Sequence, residues 1–133
     1  MTLEKLYGIH DLARQLAANT LDAGKLRRNG RHFYDVYQLL GHVRVLELLA
    51  DRTQVGQIMS SIEETSREEF SATGELRPED GFAGSPAFDR NSDVSRRMQG
   101  AYEAIMPALY FGTEPLPTWD EICERVREQR QLL

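Results

Sequence analysis

The sequence predicts an all-α protein, a single helical domain of about six helices with one long Gly- and Pro-rich loop. Three observations lead there. Apolar residues recur at the three- and four-residue spacing of a helix face in six separate stretches, and no stretch alternates apolar and polar residues as a half-buried strand would. With 133 residues, of which 41% are hydrophobic and 28% charged, the chain has material for one modest core and one domain, residues 1–133.

The first helix is read from Leu3, Leu6, Ile9, Ala13, Leu16 and Ala17, with Thr2 as its N-cap and Glu4 suited to the positive end of the helix dipole. Residues 19–30 hold two glycines and two asparagines and read as a connector. Phe33, Val36, Tyr37 and Leu40 mark a second helix ended by Gly41, and Val43 to Ala50 is a short third. From Thr53, the positions of Val55, Ile58, Met59, Ile62 and Phe70 suit a fourth helix, whose charge run over residues 63–69 belongs on its solvent side.

Residues 71–92 show no helical period and are broken by Gly74, Pro78, Gly81, Gly84 and Pro86. A loop of about 20 residues is uncommon in a compact domain and points to a binding surface, a lid or disorder. Phe82, Ala83, Ala87 and Phe88 nevertheless indicate that it packs somewhere. Val94, Met98, Ala101, Tyr102, Ile105, Met106 and Leu109 give a fifth helix, with a kink expected near Pro107, which cannot donate to the carbonyl of Glu103. The last helix opens on Thr118-Trp119-Asp120-Glu121, a capping-box pattern, with Trp119, Ile122, Val126 and Leu133 as its buried face.

Twenty-one acids against 16 Lys and Arg give a net charge of −5, which argues against broad nonspecific nucleic-acid binding but leaves room for a local basic patch. No apolar run approaches the roughly 18 to 20 residues of a membrane span, and Met1-Thr2-Leu3-Glu4-Lys5 lacks the basic-then-apolar order of a secretory signal. The expectation is a cytoplasmic protein with no membrane partner. Cys123 is the only cysteine, so neither an intrachain disulfide nor a cysteine metal cage is available. His10, His32 and His42 lack metal-ligand spacing. Cys123 reads as a buried small hydrophobe, and Tyr110, Phe111 and Trp119 as core or partner-surface aromatics.

The densest chemical signal is Lys25-Leu26-Arg27-Arg28-Asn29-Gly30-Arg31-His32, four formal cations ending where the second helix begins. Arg27, Arg28, Arg31 and His32 suit the phosphate of a nucleotide or an RNA; a solvated connector that balances an acidic surface is the other reading. At about 100° per residue, Asp35 points away from the apolar face of its own helix, either into a cleft or into an exposed pair with Arg31. The same arithmetic sets Lys5 between Leu12 and Leu16 at the margin of the first apolar stripe. There its ammonium either snorkels to water or meets a phosphate.

Glu4-Lys5-Leu6-Tyr7-Gly8-Ile9-His10, followed by Gly30-Arg31-His32-Phe33-Tyr34-Asp35-Val36-Tyr37-Gln38-Leu39-Leu40, resembles the abortive-infection nucleotidyltransferase toxins of the AbiEii and AbiGii type. The family pattern is E-K-L-x-x-L-H, a basic connector, then R-H-x-x-D-L-Y-x-L. The resemblance implies catalytic roles at the nucleotide site for Lys5 and Asp35. It extends more loosely through Tyr102-Glu103-Ala104-Ile105-Met106 and Pro115-Leu116-Pro117 to Arg125-Val126, and spans the C-terminal half of the family's usual length.

Nucleotidyltransferases of this superfamily hold magnesium on an Asp-x-Asp or Asp-x-Glu pair that follows a Gly-Gly or Gly-Ser turn, and this chain has no acid-x-acid triplet. Gly84-Ser85 leads only to Asp93-Val94-Ser95. The expectation is therefore the helical half of a truncated or split toxin-like nucleotidyltransferase, not catalytic alone. Magnesium and a nucleoside triphosphate would engage only with the missing domain. The implied partners are that domain, tRNA, an antitoxin or a second copy. The alternative is a stand-alone helical protein-interaction module, working through Tyr110, Phe111, Trp119 and the long loop.

Overall fold

The computed structural model describes residues 2–133. It is helical throughout, with no strand among the described residues. The elements are α1 (Thr2–Ala17), α2 (Ala23–Arg28), α3 (Arg31–Leu40), α4 (Val43–Ala50), α5 (Arg52–Phe70), α6 (Asp93–Leu109) and α7 (Trp119–Glu128), with 3-10 turns at Phe82–Gly84, Pro86–Phe88 and Arg130–Leu132. All six expected helices are present. The segment read as a connector carries a further one, α2, too short to show an apolar period; it places Leu26 in the core. Thr2 is the first residue of α1 and is buried, so it does not cap the helix from outside.

The core is built around α3. Phe33, Val36 and Leu40 are all but inaccessible, and the helix is flanked by α1, α4, α6 and α7. Sinking one such side chain contributes about 1.5–3 kcal/mol. Phe33 meets the edge of Trp119 at 4.9 Å between ring centres. Trp119 is fixed in turn by its indole N–H, which donates to Ser95 Oγ at 3.0 Å. The expected capping box is formed: Thr118 accepts from the Glu121 amide, and the Glu121 carboxylate accepts from the Thr118 amide. Ile122, Cys123 and Val126 follow Trp119 into the core. Tyr102 reaches across from α6 to donate to the Pro117 carbonyl at 2.6 Å. Helix α6 runs through Pro107 to Leu109.

Gly30, between α2 and α3, is needed for closeness rather than for backbone freedom. A Cβ there would lie 2.5 Å from Ile105 Cγ2, so any side chain would push the α2–α3 turn off α6. That turn sets where α3, and with it Arg31, His32 and Asp35, begins.

Residues 71–92 are not an open lid. Phe82, Ala87 and Phe88 are buried, and the two 3-10 turns pack on α1, the second also on α6. Tyr7 and Phe82 meet edge to face at 4.9 Å. Ser85, 1% exposed, pairs with buried His10 at 2.8 Å. Gly81 has φ +96°, a conformation that disfavours other residues, and it turns the chain inward ahead of Phe82. The lack of period in this segment reflects short turns that bury Leu76, Phe82, Ser85, Ala87 and Phe88 at irregular spacing, with exposed residues between them.

Helix α5 departs from its predicted amphipathic face. Val55 is its only buried residue, while Ile58 and Phe70 are 40% and 76% exposed. Its neighbour is α4, together with one tether to α1: Tyr7 donates to Glu63 at 2.6 Å. The charge run is thus mostly solvated, with Glu63 as an exception. No helix is long and apolar enough to cross a membrane among the described residues.

Candidate functional site

Helices α1 and α3 lie side by side, and their facing edges bring together two residues 30 positions apart. Lys5 Nζ donates to Asp35 Oδ2 at 3.0 Å. The pair is half-buried, at 25% and 22% exposure, so it is neither a freely solvated ion pair nor a desolvated one. Arg31 approaches the other carboxylate oxygen, Oδ1, at 3.7 Å from one turn earlier on α3. Both oxygens of Asp35 therefore face cations. Of the two readings of Asp35, the pair with Arg31 is present, while the carboxylate turns to Lys5 of α1 and does not itself line a cleft.

Lys5 also lies 3.5 Å from His32 Nδ1. An ammonium only donates, so this contact makes Nδ1 an acceptor and leaves the ring proton on Nε2. The pKa of His32 is lowered, first by burial and then by the Lys5 charge, which favours that neutral form. Asp35 and His32 engage two of the three Lys5 hydrogens. No further Lys5 partner is found among the described residues.

Beside this cluster opens a cavity of about 370 Å³, to which Lys5, Gly8, Lys25, Asn29 and His32 contribute, together with the acids Glu4 and Asp11. The volume lies within the range typical of small-molecule sites. Lys5 and His32 line it directly; Asp35 and Arg31 adjoin it through the ion pairs. Arg27 and Arg28 do not line it. Both are exposed, and Arg28 points toward Asp22 at 3.8 Å. Sequence reasoning overlooked Lys25 and Asn29 as cavity residues. The signal that finds them is α2 itself: once residues 23–28 are helical, Lys25 and Asn29 sit one turn apart on one side, and Arg27 falls on the other.

The donor set does not suit magnesium. Asp35 is engaged by two cations, and no group of three His, Cys, Asp or Glu side chains gathers to hold a metal ion among the described residues. His10 is engaged with Ser85, and the ring of His42 accepts from the Arg44 amide at the start of α4.

No family model, curated protein or solved structure matches the chain.

A second cavity, of about 710 Å³, lies over Trp119 and Cys123. Its arginines are largely answered by its acids: Arg90 pairs with Asp120 at 2.7 Å, and Arg127 with Glu124. Cys123 beneath it is buried, and burial pushes its thiol up to about 11, so it is protonated and unreactive at neutral pH. Of the three aromatics considered for a partner surface, Trp119 is in the core and Tyr110 is half-buried against Tyr34; Phe111, 92% exposed, is the free one.

Proposed function

We propose that this chain is the helical half of a nucleotidyltransferase-like protein, with the α1–α3 cavity holding the phosphates of a nucleoside triphosphate. Lys5 supplies a charged donor to the phosphate, and Lys25 and His32 stand beside it. Asp35 acts as a positioning carboxylate that fixes the Lys5 ammonium, with Arg31 balancing its charge. The observation that carries this reading is the meeting of Lys5 and Asp35 at 3.0 Å beside a cavity whose wall carries Lys5 and Lys25 together with Glu4 and Asp11. Those are the two positions singled out by the resemblance, and they are far apart in sequence. In this reading the metal-holding acids belong to a separate Asp-x-Asp domain, because none gather here. Arg27 and Arg28, exposed and outside the cavity, are available to an RNA acceptor such as tRNA. An antitoxin or a second copy of the chain remains a further partner in this scheme.

The test is a nucleotide titration of the full chain, followed by NMR. Lys5→Ala is expected to weaken nucleoside triphosphate binding at least tenfold while the chain stays folded. Asp35→Asn is expected to retain binding of the triphosphate, since it removes a negative charge beside the ammonium. When the chain is combined with an Asp-x-Asp domain, either Lys5→Ala or Asp35→Ala is expected to abolish nucleotide transfer. Undiminished affinity in Lys5→Ala, or full transfer after both changes, overturns the assignment.

One observation favours a second reading, a stand-alone protein-interaction module: the exposure of Phe111. With Trp119 buried and the long loop packed on α1, that surface is narrower than the sequence suggests. Retention of a protein partner by the native chain and its loss in Phe111→Ala would support it.

A further inference from the structure

We infer that Gly8 seats the ring portion of a nucleoside phosphate, between a cationic and an acidic edge of α1. This rests on the nucleotide reading above and extends it from the phosphate to the nucleoside. Glycine inside a helix is less stable than alanine, so an interior glycine calls for a reason. At Gly8 the fold supplies none: a Cβ there would meet nothing within 4 Å, and the backbone is ordinary helix. Gly56 and Gly100 are also open in this sense, but neither lines the cavities over Trp119 or beside Lys5, whereas Gly8 lies on the wall of the latter.

Helical geometry orders that wall. At about 100° per residue, Lys5 and Leu12 fall within about 20° of each other on the edge toward α3. Glu4 and Asp11 fall equally close together on the opposite edge, and Gly8 lies midway, about 50° from each. The strip of bare backbone at Gly8 thus runs between a basic edge, where Lys25 adds a second charge and neutral His32 a ring N–H donor, and an acidic one. Phosphate is attracted by the first edge and repelled by the second. The acidic edge instead accepts from ribose hydroxyls or an exocyclic amino group; among the described residues Glu4 takes no hydrogen bond from another side chain, and Asp11 takes one, from Gln15 at 2.7 Å. A nucleoside phosphate has this polarity. Inorganic triphosphate satisfies only the basic edge.

The experiment titrates the full chain and its Gly8→Ala and Gly8→Met variants with ATP, CTP and inorganic triphosphate, and records thermal melting of each. Both variants are expected to melt at or above the wild-type temperature. Gly8→Met should weaken ATP and CTP binding at least tenfold, Gly8→Ala less, and inorganic triphosphate should bind all three proteins within about twofold. If Gly8→Met binds nucleotides as well as wild type while Lys5→Ala loses them, the ring seat is wrong and the phosphate reading survives. The seat is equally wrong if Gly8→Met loses inorganic triphosphate in step with the nucleotides. If wild type binds neither nucleotide nor triphosphate, both inferences fall.

Discussion

The Lys5–Asp35 contact offers a quantitative test, because it is both an ion pair between α1 and α3 and the centre of the proposed site. A double-mutant cycle with Lys5→Met and Asp35→Asn isolates it. Fully exposed ion pairs contribute about 0.2–1 kcal/mol, and breaking a buried one costs about 3–5 kcal/mol. At 25% and 22% exposure and 3.0 Å, the pair stands between these limits, with solvent still screening it. A coupling of about 1 kcal/mol is expected. The single changes should be unequal. Lys5→Met leaves Asp35 with Arg31 at 3.7 Å, whereas Asp35→Asn leaves Lys5 facing only neutral acceptors, the new amide oxygen and His32 at 3.5 Å. Urea denaturation at low and high salt is the assay. A shift of about 3–6 °C in melting temperature should accompany a loss of about 1 kcal/mol in a chain of this size. A coupling below about 0.3 kcal/mol at low salt would show that packing alone places Lys5, and the positioning role assigned to Asp35 would then lose its basis.

Three other outcomes follow from the same structure. Ser95→Ala removes the acceptor of the buried Trp119 indole N–H and should cost about 1–3 kcal/mol in unfolding free energy; a neutral change would show that the indole finds another partner. His10 has its pKa lowered, chiefly by burial and then by the Arg14 charge, so the unfolded chain takes up a proton there before the folded one does. Its contribution to stability is full above the ordinary value of 6.5 and is lost as the pH falls below it. His10→Gln should flatten the difference in melting temperature between about pH 7.5 and about pH 5.5, and an unchanged difference would place the acid sensitivity elsewhere. Arg27→Ala with Arg28→Ala should lower tRNA affinity and reduce its salt dependence by roughly two counterions, leaving nucleoside triphosphate binding in the cavity intact. Salt-independent or unaltered tRNA binding would remove these arginines from the RNA surface.

Much of this fold is legible in the chain because helices declare themselves locally. The apolar spacing from Leu3 to Leu16, the capping box at Thr118 and Glu121 and the stop at Gly41 each reflect interactions spanning four residues or fewer, and each is found as read. α2 escaped notice because six residues hold too little periodicity to distinguish a helix from a polar turn, and its stability comes from docking on α6. The apolar positions of α5 were visible, but nothing local says whether a neighbour will cover them; past Val55, Ile58 and Phe70 stay exposed.

The candidate site divides in the same way. Lys5 and Asp35 could be singled out from the sequence, since each sits off the apolar stripe of its own helix. The partnership of His32 with Lys5, and of Asn29 and Lys25 with the cavity, depends on how α2 turns into α3 at Gly30. The sequence by itself determined which segments are helical and which residues carry charge, because backbone hydrogen bonds and side-chain periodicity act within one turn. Only the tertiary structure decided which charges meet. An ion pair between residues 30 positions apart forms when packing of buried side chains brings two helix edges together, and those charges have no local means of selecting each other.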